Sequence, residues 1–182
     1  MLKRSFAIAL VLPLVLVVSG CLMDTTVDEK GGGEMTVSYK LPKTGKLDDV
    51  KKQMESPSVK VTSAELNDQT SVATFKLKFD DITKLSTAKF FKNATITTSE
   101  DKAKGTKTIV AKIVNKTPAK LPDKVVEFYG DKWEVMATLP GEIVETNATA
   151  KDGKKATWTR TLQEFSTAPE ITLSVTYKAA KG

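Results

Sequence analysis

From Met35 onward the chain alternates apolar and polar positions, the period-2 signature of half-buried strands. Met35, Val37, Tyr39 and Leu41 alternate with Thr36, Ser38 and Lys40 up to Pro42. Residues 46–54 break the alternation: Leu47, Val50 and Met54 share one helical face, with Asp48 and Asp49 early and Lys51 and Lys52 late, as the helix dipole prefers. Pro57 stops this helix. Strands are predicted over 59–66 and 72–79, the second with Ala73, Phe75, Leu77 and Phe79 on one face. Asp80-Asp81 then caps a second short helix carrying Ile82, Leu85 and Phe91. Strands over 94–98 and 106–114 follow. The order β-α-β-β-α-β-β predicts an α+β fold, mainly antiparallel, with two short helices and a ferredoxin-like βαββαβ N-terminal part.

Residues 117–132, with Pro118 and Pro122, fit a strand, a helical turn or a loop. Beyond them the strand signal strengthens into an expected hairpin and meander. Trp133, Val135, Ala137 and Leu139 alternate up to Pro140-Gly141, which suits a type II turn. Residues 143–148 are the expected return strand. Asp152-Gly153 predicts a hairpin turn with positive φ at both central positions. Ala156, Trp158, Arg160 and Leu162, then Ile171, Leu173, Val175 and Tyr177, alternate with polar residues. Many of the 24 threonines fall on outward strand positions, where a β-branched polar residue is favoured. Trp133 and Trp158 sit on apolar strand faces and are expected in the core. Phe90-Phe91 are adjacent on a short helix, so one is expected inside and the other partly exposed.

The N-terminus has a different pattern. Lys3 and Arg4 precede an apolar run, Phe6 to Val18, that is too short and too interrupted by Pro13 for the roughly 20 apolar residues of a membrane span. It fits a secretory signal, residues 1–20. The run Leu16-Val17-Val18-Ser19-Gly20-Cys21 looks like a bacterial lipobox, ending on the chain's one cysteine. Cys21 is therefore expected to carry a diacylglyceryl anchor and to become the mature N-terminus, attaching the protein to the membrane. Residues 21–34, polar with Gly31-Gly32-Gly33, are expected to form a flexible tether, and residues 35–182 a single domain. Leu22, where Asp would retain the protein at an inner membrane, points to the outer membrane of a two-membrane host; a one-membrane host leaves the plasma membrane.

Composition narrows the chemistry. There is no histidine, which removes the commonest general base and metal ligand. The mature chain keeps no free thiol once Cys21 is modified, so no Cys/His zinc site is expected. No acidic pair stands in a catalytic frame, and no catalytic residue, cofactor or metal is assigned. The net charge is +6, nearly all lysine, with Arg4 and Arg160 the two arginines. Base and phosphate recognition favours arginine, so no nucleic-acid partner is expected.

The run Trp133 to Val144, then Asn147, Asp152-Gly153 and Thr157-Trp158, resembles the LppM-type family of envelope lipoproteins, as does the strand-to-helix segment Phe75 to Ile82. The resemblance covers most of Met35 to Tyr177 and is specific over Leu139 to Trp158. The chain departs from it in ending at Lys181-Gly182, where some members carry a C-terminal membrane segment. The resemblance implies a non-catalytic accessory domain with lipid or glycolipid contact. Leu85, Phe90 and Phe91 are the residues placed to line an apolar space between sheet and helices, with lysines at its mouth. An interaction lipoprotein docking another envelope protein is the alternative, and a carboxylate-dependent hydrolase the third reading.

Overall fold

In the computed structural model, residues 20–179 are described; residues 1–19, on which all but the last residue of the expected secretory signal 1–20 falls, and residues 180–182 lie outside them. The fold is mixed α+β, mostly strand, in two antiparallel-dominated sheets. The larger sheet contains β1 (Cys21–Val27), β2 (Gly33–Lys40), β3 (Val59–Asn67), β4 (Val72–Phe79), β7 (Trp133–Thr138), β9 (Ala150–Asp152) and β10 (Lys155–Arg160), in the order β3-β4-β2-β1-β7-β10-β9. The smaller contains β5 (Ala94–Asp101), β6 (Thr106–Val114), β8 (Ile143–Thr146) and β11 (Glu170–Lys178), in the order β5-β6-β11-β8. Helices α1 (Leu47–Met54), α2 (Asp123–Tyr129) and α3 (Leu162–Thr167) connect them.

The expected tether is instead structure. β1 pairs antiparallel with β2 and parallel with β7, so residues 21–27 lie inside the large sheet. The glycines close the β1–β2 hairpin. Gly31 has φ +89°, and the Asp28 carboxylate accepts the Lys30 and Gly32 N–H groups. The domain therefore starts at β1 and not at Met35. β1 looks polar because its two faces meet different surroundings: Met23, Thr25 and Val27 point inward, Asp24 and Thr26 do not.

The ferredoxin-like layout is also replaced. β2, β3 and β4 share a sheet, but β5 and β6, expected beside them, form the second sheet with β11. The place next to β2 is taken by β1. The second helix becomes two short 3-10 turns over Ile82–Thr87 and Lys89–Phe91, the first capped by the Asp81 carboxylate accepting from Thr83 N–H at 2.8 Å. α1 forms as predicted, burying Met54 completely. The open segment 117–132 contains α2.

The C-terminal meander is corrected in the same way. β8 does not return beside β7; it crosses to the small sheet and pairs with β11. Gly141 lacks the positive φ of a type II turn. Its need for glycine is steric, since a Cβ there would sit 1.9 Å from the Lys178 carbonyl oxygen. In the β9–β10 turn Lys155 pairs with Asp152, so Gly153 and Lys154 are central, and Gly153 alone has positive φ.

Asn147 joins the two sheets at this crossing. Its Oδ1 accepts from Trp158 Nε1 and from Ser174 N–H, both at 2.8 Å, and its Nδ2 donates to the Thr172 carbonyl at 2.8 Å. Asn147→Ala leaves the indole N–H of a 5 % exposed Trp158 without its partner. An unfolding free energy lower by about 1–3 kcal/mol is expected, the penalty of an orphaned buried donor. Urea denaturation of the variant checks it.

Candidate functional site

Between the two sheets lies an apolar cavity of about 400 Å³. One wall is the inward face of β1 and β7: Cys21, Met23, Thr25, Trp133, Val135 and Ala137. The opposite wall is β5, β6 and β11, with Ile96, Ala111 and Leu173 among its residues. The 3-10 turns close one side with Ile82, Leu85, Phe90 and Phe91, and α3 closes another with Leu162 and Phe165. Packed sheets stand about 10 Å apart and need large interdigitating side chains to fill the gap. Here small residues face it at Ala94, Ala111, Ala137 and Thr25, and the gap stays open.

Leu85, Phe90 and Phe91, singled out from the sequence, all line this space. Phe91 is buried at 8 % exposure and Phe90 is half-buried. The pair meets edge to face at 5.0 Å, and Phe90 also stacks on Tyr39 at 6.1 Å. The strand residues of the walls were not singled out, because an inward strand position reads the same whether it meets a core or a cavity.

Exposure of the lining rises along the cavity. At one end Val27, Met35, Leu85, Ile109, Leu139 and Val175 are all buried. At the other Cys21, Ala94, Ile113, Leu162 and Phe165 are half-buried and Asn93 is exposed. The cavity thus opens at the Cys21 end. Aromatic rings gather there: Trp133, the register partner of Cys21, stacks on Phe165 at 4.8 Å, and Tyr39 neighbours Cys21 from β2. Thr25 and Asn93 are the polar lining residues.

Cys21 is fixed by its backbone, its N–H donating to the Lys132 carbonyl at 2.9 Å. The residue lines the cavity, and burial pushes its thiol up to about 11. Burial, with smaller contributions from Cys21 and Tyr129, likewise pushes the Tyr39 phenol up to about 12. Gly20, with φ +125°, has no room for a side chain, since a Cβ would lie 2.0 Å from the Lys132 carbonyl oxygen. That approach accounts for glycine at position 20 in an uncut chain independently of any processing signal. In folded, unmodified protein the Cys21 thiol is expected to resist maleimide at pH 8 and to react at that pH only after unfolding, because the thiolate is the nucleophile. Alkylation followed by mass, with and without denaturant, checks it.

Among the described residues, no group of His, Cys, Asp and Glu side chains could hold a metal, and no helix is long and apolar enough to cross a membrane. Apart from the Cys21 thiol, the Thr25 hydroxyl, the Asn93 amide and the two indole N–H groups, the wall is apolar.

No protein-family model matches the chain, and no curated protein matches it. Among solved structures, the NMR structure of the folded domain of the Mycobacterium tuberculosis LppM protein is similar, at 12 % identity and a TM-score of 0.50. The match covers 88 % of this chain and 90 % of that one. At this identity the likeness concerns the fold: this chain has an architecture similar to that of the LppM folded domain.

Proposed function

We propose that this chain is a lipid-anchored protein of a bacterial envelope, and that its domain takes an acyl chain of an amphipathic lipid or glycolipid into the cavity without transforming it. The observation that carries this is the cavity itself, apolar and open at one end. The lipobox-like run before Cys21 supports the anchor, and the fold shared with the LppM folded domain supports the family resemblance. Lys89 and Lys92, both exposed, flank Phe90 and Phe91 and offer charge to an anionic headgroup. Among the described residues the protein-docking alternative has less behind it: the large exposed apolar residues Leu66, Val114, Phe128 and Val144 lie on four different elements.

In the anchoring step the Cys21 sulfur displaces the phosphorylated headgroup of a diacylglyceryl phospholipid. A C–S thioether forms, a C–O bond breaks, and the headgroup leaves as a phosphate monoester with the thiol proton. Hydrolysis of the Gly20–Cys21 bond then exposes the new N-terminus. A buried thiol held up to about 11 is a poor nucleophile, so modification precedes docking of β1. Two or more acyl chains give stable anchoring where one does not. The anchor places the protein on the outer membrane of a two-membrane host, or on the plasma membrane of a one-membrane host.

The test is mass spectrometry of full-length protein purified from membranes. The expected result is a mature N-terminus at Cys21 carrying an acyl mass, with Cys21→Ser left uncut or released. Binding of anionic lipid should weaken as salt rises, because screening removes the headgroup contribution. A mature N-terminus elsewhere without an acyl mass rejects the anchor, and folded Cys21→Ser protein that binds no extracted envelope lipid rejects the cavity reading.

A further inference from the structure

The attachment atom of the anchor lies inside the candidate binding site. Cys21 is the first residue of β1, and its side chain lines the cavity beside those of Met23 and Thr25. β1 cannot swing out to present the sulfur elsewhere without breaking the sheet. It is paired with β2 on one side and β7 on the other, and the Cys21 N–H is bonded to Lys132. With no tether between anchor and domain, the glyceryl group on Sγ has to begin in cavity space.

We infer that one acyl chain of the protein's own anchor occupies this cavity, so that the folded lipoprotein carries its first lipid covalently. The inference rests on the reading of Cys21 as the anchor. The inward positions of β1 from Cys21 to Val27 span about 20 Å at roughly 3.3 Å per residue, the scale of one long acyl chain. The deep end is lined by buried Met35, Leu85, Ile109 and Val175, an apolar terminus suited to a methyl end. Thr25, 4 % exposed, turns its side chain into the same space. A chain attached at the wall also has an effective concentration far above that of a free competitor. The second chain leaves at the Cys21 end, past Trp133, Phe165 and Tyr39. Because that chain enters the membrane from the Cys21 end, the cavity mouth faces the bilayer.

Trp133 and Trp158 are the chain's two tryptophans and both line the cavity, so intrinsic fluorescence reports its contents. The probe is a vesicle of phosphatidylglycerol with brominated acyl chains, which quench tryptophan on contact. Three full-length proteins are compared: wild type, Cys21→Ser, and a chain with eight Gly/Ser residues inserted between Cys21 and Leu22. The inserted chain keeps the anchor but gives it slack. The expected result is little quenching in wild type and strong quenching in both variants. Equal quenching in all three, with an acyl mass on wild-type Cys21, overturns the inference and leaves the cavity as a site for other lipids. No quenching in any of them overturns both this inference and the lipid-binding reading. Strong quenching in Cys21→Ser alone, with the inserted chain protected like wild type, supports occupancy by an anchor that reaches back through the linker.

Discussion

Replacing Trp133 with Ala is expected to lower the unfolding free energy by about 3–5 kcal/mol, the range for deleting a buried aromatic side chain. Trp133 is 2 % exposed and opens β7, the strand that joins the two halves of the large sheet. Its register partners are Cys21 on β1 and Arg160 on β10, and its ring stacks on Phe165 of α3 at 4.8 Å. Removing the indole therefore strips contacts from two strands and a helix at once. The lost volume merges with the existing cavity, so the neighbours cannot collapse to recover contacts. Trp133→Phe keeps an apolar ring against Phe165 and should lose much less. Urea denaturation with an unchanged m-value measures both. A loss below 1 kcal/mol for Trp133→Ala would mean that the ring does not support the sheet junction.

The strands were legible because alternation is a local property, and β2, β4, β7, β10 and β11 lie where it predicts them. Alternation does not say which sheet a strand joins. Alternation therefore leaves β5 and β6 beside β2–β4 and β8 beside β7, whereas all three belong to the small sheet. β1 is hard to read for a different reason. Its inward residues are Cys21, Met23, Thr25 and Val27, and Thr25 there gives no apolar signal although it is buried. The triple glycine beside it suggested a linker, where the Asp28 turn uses it to reverse the chain. α3 did carry a signal: Thr161-Leu162-Gln163-Glu164 is a capping box, with the Thr161 hydroxyl accepting from Glu164 N–H at 3.0 Å and the Glu164 carboxylate accepting from Thr161 N–H at 2.8 Å.

The candidate site was half legible. Leu85, Phe90 and Phe91 could be placed by their position on short helical turns after a strand. The wall from β1, β7 and β6 could not, because what distinguishes a cavity from a core is the smallness of residues that meet across the gap. Ala111 and Ala137 lie far apart in sequence and acquire meaning only once the sheets face one another. Cys21 was recognised for its chemistry, but its place on the cavity wall depends on a strand that the sequence did not announce.

That difference between core and cavity gives the second large effect a sign. Ala137→Phe adds a ring to an inward position of β7, beside Thr25 on β1 and Ala156 on β10. In a filled core such an insertion costs typically about 1–3 kcal/mol through forced rotamers and backbone shifts. Here the Cβ of Ala137 faces open space, and phenylalanine is the better strand former. The variant is expected to be as stable as wild type or slightly more so. The added ring crosses the middle of the cavity, between its deep end and the Cys21 mouth, so it should abolish uptake of an acyl chain. Introduced together with Cys21→Ser, which removes any covalent occupant, it should also abolish quenching of the tryptophans by brominated phosphatidylglycerol. Stability is read from urea denaturation and uptake from fluorescence on the same sample. Unchanged stability with lost uptake is the signature of a cavity that serves binding. A destabilisation of about 1–3 kcal/mol would show that the space between the sheets is already packed, and the lipid-binding reading would fall with it.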